Sequence, residues 1–182
     1  MTNFINTEFS SFLKDKTLAN GLPSLAYTDE KFWEIETETI FAKNWVFVGF
    51  AHELKKIGDV LPILVSKKPI LLVKNNNDEI VAFHNVCRHR CLKLVDQPKN
   101  VGKIIRCPYH SWAYDLDGNL LASPHFGGTN IHHTNGFEPA NHGLEPVKVK
   151  VWHDWIFVNF SETAPLFEEY AATLIKQLNN VN

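Results

Sequence analysis

From Trp45 onward the apolar positions gather in short runs: WVFVGF, VLPILV, ILLVK, IVAFHNV, KIIR, WAYDL, NLLA, VKVKVW and WIFVNF. Runs of this length, rich in β-branched and aromatic residues, predict strands. Turn formers separate them, among them the NNND stretch at 75–78, Asp117-Gly118 and His153-Asp154, so neighbouring strands should pair as antiparallel hairpins. Such even spacing favours a sandwich or small barrel over alternating βαβ units. The two ends read differently. Residues 28–42 place Phe32, Ile35, Ile40 and Phe41 among acids and threonines, an amphipathic helix with Thr28 as its cap. After Pro165, the segment LFEEYAATLIKQL sets Leu166, Tyr170, Leu174 and Leu178 on one stripe. That second helix either packs on the sheet or presents its stripe to a neighbouring domain. The expected fold class is mainly β: an antiparallel sandwich or barrel with an N-terminal and a C-terminal helix.

Composition narrows the function. With 182 residues, 45% of them hydrophobic, the chain can bury a core, and its net charge of -2 offers no general attraction for nucleic acid or an anionic membrane. No apolar run approaches the roughly 20 residues of a membrane span, and MTNFINTEFSSF lacks the basic start of a signal peptide. The expected location is cytoplasmic. Three cysteines, Cys87, Cys91 and Cys107, are an odd number for a disulfide framework and point instead to a metal.

The chemistry concentrates in Cys87-Arg88-His89, followed after 17 residues by Cys107-Pro108-Tyr109-His110. Each pair follows a predicted strand, so two loops can protrude side by side from one end of the β structure. Two Cys and two His also suit a structural zinc ion. Zinc sites of that composition commonly place like with like on each arm, whereas here each arm carries one Cys and one His. Mixed arms suit two irons, with the thiolates on one and the imidazoles on the other.

The CRH and CPYH motifs at this spacing resemble the Rieske signature. The stretches NWVFVGFAHELKKIGD, FHNVCRHR, CPYHSWAYDLDGNLLASP and GLEPVKVKVWHDWIFVN extend the resemblance to the alpha subunits of Rieske non-haem iron oxygenases, the ring-hydroxylating dioxygenases, over roughly 28–165. This resemblance implies a Rieske-type β fold with two cluster-binding loops at one tip. It divides the chain into an N-terminal extension (1–44), a Rieske domain (45–160) and a C-terminal helix (161–182) that starts or links to a catalytic domain the chain does not contain. It implies a [2Fe-2S] cluster on Cys87, His89, Cys107 and His110, with a mononuclear Fe(II) expected only in the missing domain. His52, His84, His125, His132, His133, His142 and His153 lack that second iron's spacing and read as solvated or structural. A reductase or ferredoxin would reduce the cluster, and His110 would be the electron exit toward an adjoining subunit of a homo-oligomer. A stand-alone Rieske ferredoxin and a structural zinc domain are the alternative readings.

The surroundings of the cluster follow from the same resemblance. Arg88, Arg90, Tyr109, Trp112 and Tyr114 would surround it, and Tyr114 occupies a position that donates a hydrogen bond to sulfur in high-potential relatives. Trp112 stands where those relatives have a serine, which implies a potential near the low end of the Rieske range, about -150 mV. The family usually has glycine where this chain has Cys91 and Ser111. Residues 88–106 hold six basic side chains and one acid, so Arg88, Arg90, Lys93 and Lys99 are candidates for docking an acidic electron donor.

Overall fold

The computed structural model describes residues 12, 14, 15, 17–132 and 134–179; His133 and the outer ends of both flanking segments lie outside the described residues. The chain divides into two units at Ile40/Phe41. In the first, α1 (Leu25–Thr28) and α2 (Glu30–Glu36) replace the single helix expected from Thr28. The cap is Asp29, whose carboxylate accepts the Phe32 N–H at 2.9 Å. An aspartate can satisfy an orphan N–H there and favours the positive helix end, so it outcompetes the neighbouring threonine. A π turn follows at Thr37–Phe41, where Thr39 donates to the Ile35 carbonyl and competes with the helical ladder.

Among its described residues the second unit carries ten strands: β1 (Val46–Phe50), β2 (Asp59–Val65), β3 (Lys68–Lys74), β4 (Ile80–His84), β5 (Lys99–Asn100), β6 (Ile105–Arg106), β7 (Ala113–Tyr114), β8 (Leu120–Ala122), β9 (Pro146–Trp152) and β10 (Trp155–Asn159). Seven form an antiparallel sheet in the order β1-β10-β9-β4-β3-β2-β5, and β6-β7-β8 form a second, smaller one. The expected mainly antiparallel β architecture is therefore present, and only the two-residue β5 had no sequence signal. Register is set by tight hairpins. Ser66 and Lys67 both take positive φ between Val65 and Lys68, and His153 does so between Trp152 and Trp155, as the right-handed strand twist demands of two-residue turns.

Strand β3 explains how the sheet is covered on both faces. Ile70, Leu71, Leu72 and Val73 are all fully buried. Because alternate side chains point to opposite faces, Ile70 and Leu72 join a core with Val65, Ile80, Ile156 and Val158, whereas Leu71 and Val73 join one with Phe83, Ile105, Trp112 and Tyr114. The second core lies between the two sheets, and Cys87 and Cys107 belong to it. Among the described residues no helix is long and apolar enough to cross a membrane.

The C-terminal helix differs from its expected pattern by one residue of phase. It forms α3 (Phe167–Tyr170) and α4 (Ala172–Asn179), broken at Ala171. The packed side chains are Phe167 and Ala171, whereas Leu166, Tyr170, Leu174 and Leu178 are exposed. Phe167 meets Trp45, Phe157 and Trp152 with ring centroids 5.6, 4.8 and 6.2 Å apart, so it is the anchor on the sheet. Of the two outcomes open to the four-residue stripe, packing on the sheet is therefore not realised: Phe167, a large aromatic one position on, takes that place and leaves the stripe exposed. Phe167→Ala should therefore destabilise the chain by about 3–5 kcal/mol, whereas Leu178→Ala should leave it within about 0.5 kcal/mol, as read by denaturant unfolding.

Candidate metal centre

The two motif loops share one backbone plan. In the first, between β4 and β5, the Cys87 N–H donates to the Leu92 carbonyl (2.8 Å) and the Cys91 N–H donates back to the Cys87 carbonyl (3.0 Å). In the second, between β6 and β7, the Cys107 N–H donates to the Trp112 carbonyl (2.8 Å) and the Ser111 N–H to the Cys107 carbonyl (3.1 Å). Each loop thus folds over its own cysteine. Closing such a turn needs a left-handed residue, and Cys91 (φ 55°) and Ser111 (φ 57°) supply it without being glycine. The substitution of glycine leaves the loops intact at a cost of about 1–2 kcal/mol each.

This plan places the cysteines inward and the histidines outward. Cys87 and Cys107 are 1% and 2% exposed, at the floor of the site. The His89 and His110 rings lie side by side with centroids 4.8 Å apart. Trp112 is buried and lies parallel to His89, at 4.8 Å and 5° between ring planes, while the exposed Tyr109 covers His110 at 3.7 Å. An open depression above the rings is lined by His89, Arg90, Tyr109, His110, His125 and Phe126.

Hydrogen bonds tie the floor to the core. The buried Tyr114 hydroxyl lies 3.3 Å from Cys87 Sγ and accepts the Arg88 N–H at 3.1 Å, which leaves its own proton for the sulfur. Burial pushes the Tyr114 phenol far above its ordinary pKa, so it stays a donor. Burial likewise pushes the Cys87 thiol up, with Tyr114 partly opposing it. It also depresses His89, with His110 and Arg90 adding to the effect.

Two residues that sequence reasoning passed over hold the first loop. Asn85, fully buried, accepts from the Leu94 and Val95 N–H groups (3.1 Å each) and donates to the Val95 carbonyl (2.7 Å). Its signal was present in the sequence, an amide side chain inside an otherwise apolar strand run. Glu145 pairs with Arg88 at 2.7 Å, a partner 57 residues away that no local pattern announces. Arg88 is thus engaged in the fold. Lys93 pairs with Asp96 at 3.3 Å, and Lys99 lies on β5 at the sheet edge, so of the four docking candidates Arg90 is the one at the depression.

The donor set fits a two-iron cluster. Nδ1 of His110 is buried with no hydrogen-bond partner, so it is the ring nitrogen left to take a metal. Two buried thiols can lose their protons only beside concentrated positive charge, which a metal supplies. Among the described residues no three His, Cys, Asp or Glu side chains converge as on a single ion. A cluster that takes two protein side chains per iron does not require them to.

The strained loop positions generate a test. Ser111→Gly relieves about 1–2 kcal/mol of left-handed cost and gives back about 0.5–1 kcal/mol of chain entropy, so it should stabilise by about 0.5–1 kcal/mol in chemical denaturation. Ser111→Val should destabilise, because a β-branched side chain tolerates positive φ poorly.

Comparison with known proteins agrees with this geometry. Residues 44–134 match the Rieske [2Fe-2S] domain family. The glycine betaine monooxygenase oxygenase subunit of Pseudomonas aeruginosa is 35% identical over 166 residues, 91% of this chain and 37% of that protein. The carnitine monooxygenase oxygenase subunit of Acinetobacter pittii is 30% identical over 168 residues, 92% of this chain and 44% of that protein. A solved quaternary ammonium Rieske monooxygenase, studied for carnitine oxidation and inter-subunit electron transfer, superposes with a TM-score of 0.76 at 30% identity, covering 87% of this chain and 42% of that one. The chain thus spans less than half the length of each relative. With half of its residues matching that family and a fold shared with these oxygenases, the chain belongs to the Rieske [2Fe-2S] domain family and is homologous to Rieske oxygenase alpha subunits.

Proposed function

We propose that this chain is the electron-accepting domain of a Rieske oxygenase, taking electrons from a reductase or ferredoxin and delivering them toward a mononuclear iron that activates O2 in an adjoining subunit. In this reading Cys87 and Cys107 hold one iron of a [2Fe-2S] cluster, and His89 and His110 hold the other. The observation that carries it is the pair of loops of identical hydrogen-bond plan, each with its thiol buried in one core and its imidazole beside the other's at an open depression. The cluster supplies reversible one-electron storage. The residues of the chain do the rest. The inter-sheet core keeps water from both thiols, and Tyr114 donates a hydrogen bond toward the Cys87 sulfur, which favours added negative charge there. His110 binds through its buried nitrogen and keeps the other ring nitrogen for a carboxylate of the acceptor subunit. Arg90 gives the rim positive charge, which suits an acidic donor protein. Because two of the relatives are named for glycine betaine and carnitine, we assign the oxygenase served to quaternary ammonium monooxygenation, within a ring-hydroxylating-type family resemblance that left the substrate open.

Two measurements test this reading. The purified chain should be red-brown, with two irons and two acid-labile sulfides; one zinc and no sulfide would overturn the assignment. Cys87→Ser or Cys107→Ser should lose the cluster, since a serine hydroxyl stays protonated at neutral pH, whereas Cys91→Ser should keep it.

The second measurement concerns the donor. Reduction by an acidic donor protein should slow steeply as salt rises, because the screening length falls from about 30 Å at 0.01 M to about 8 Å at 0.15 M. Arg90→Glu should slow that reaction well beyond its effect on a small neutral reductant. Equal slowing with both reductants would mean that Arg90 tunes the potential and recruits no protein.

A further inference from the structure

The segment between β8 and β9 is longer than a connection across one end of a sandwich requires. It folds back tightly: the Leu144 N–H donates to the Gly118 carbonyl at 2.7 Å, and a Cβ on Gly143 would come within 3.0 Å of that same oxygen. Between its ends it delivers three rings to one side chain. Phe126, Phe137 and His142 lie 5.5, 5.8 and 6.2 Å from the Trp112 ring, all at steep angles, and Phe137 contacts both others at 4.2 and 4.4 Å. His142 is pinned in turn through Nδ1 to the Glu138 carbonyl at 2.9 Å. The opposite result of this packing is the parallel stack of Trp112 on His89.

An imidazole bound to a metal through one nitrogen can still tilt about its Cβ–Cγ bond. A neighbour lying flat against the ring restricts that tilt, as a hydrogen bond to the other ring nitrogen also can, and the two histidines differ in the first respect. His110 faces the exposed Tyr109 at 36°, whereas His89 lies against a fully buried indole at 5°. The Trp112 Nε1 has no hydrogen-bond acceptor among the described residues, so packing alone holds the indole in its plane. The rings that press on it then decide where it sits.

We propose that Trp112, buttressed by Phe137 and Phe126, is the positioning residue for His89, and that the 123–143 segment acts on the metal centre through this stack. The inference rests on His89 being a ligand, as proposed above. It gives the long segment a task that the docking of a donor does not require, and it makes the two imidazoles unequal: one held by a buried platform, one covered by a side chain at the surface.

The test uses the full chain loaded with iron and sulfide, compared with Trp112→Phe, Trp112→Leu and Phe137→Leu. Iron and sulfide are counted first, so that failure of the wild-type chain to hold a cluster overturns the ligand assignment itself. The readout is then the electron paramagnetic resonance spectrum of the reduced protein, with the nitrogen couplings of its two imidazoles. Trp112→Phe keeps a flat ring and should keep the wild-type signal. Trp112→Leu and Phe137→Leu should broaden it and alter the coupling of one imidazole while leaving the other as it was. Phe137 is half-buried and its ring contacts are with Trp112, Phe126 and His142, none of them a proposed ligand, so its variant decides the matter if Trp112→Leu fails to load. A fully loaded Phe137→Leu or Trp112→Leu protein with the wild-type spectrum would overturn the proposal, as would a Trp112→Phe spectrum changed as much as that of Trp112→Leu.

Discussion

Burying two thiols, which the proposed ligation would require as thiolates, is the constraint around which this domain is arranged. Cys87 and Cys107 sit in the core between the two sheets, where a lone anion would be costly. Burial already pushes Cys87 upward. The fold answers by giving each cysteine its own turn of backbone, with a tyrosine hydroxyl at one sulfur, and by setting His89 and His110, from the same two turns, side by side. The left-handed strain at Cys91 and Ser111 follows from the same requirement, since the turn must reverse within five residues to bring its N–H back to the cysteine carbonyl.

The rest of the second unit serves to hold those two turns still. Asn85 closes the first loop from below with three hydrogen bonds, and Arg88 ties its outer side to Glu145. The second loop is held from above, where the 123–143 segment presses on Trp112. Strand β3, buried on both faces, is the platform on which both layers rest. The positive charge concentrated in residues 88–106 is consequently not all available to a partner. Arg88 and Lys93 are engaged in ion pairs, which leaves Arg90 as the docking candidate lining the depression.

Short apolar runs were enough to locate nine of the ten strands, because period-two patterning and turn chemistry are local properties. β5 escaped because Lys99 and Asn100 carry no apolar signal and pair only because β2 offers a free edge. Helix ends were less legible. Asp29 displaced Thr28 as cap, and the C-terminal helix rotated its buried face onto Phe167. In both cases the outcome turned on competition between adjacent residues, which a repeat of apolar positions does not resolve.

The sequence by itself determined the class of fold and the four side chains that could hold a metal, since the CRH and CPYH spacing and the alternation of strand residues are readable without any knowledge of contacts. What only the tertiary structure decided is which groups stand around those four. Asn85, Glu145, Phe126, Phe137 and His142 come from distant segments or carry no motif, and they meet the site because two sheets and a long return segment fold onto one another. Their roles depend on distances across the core, and a linear pattern contains no such distances.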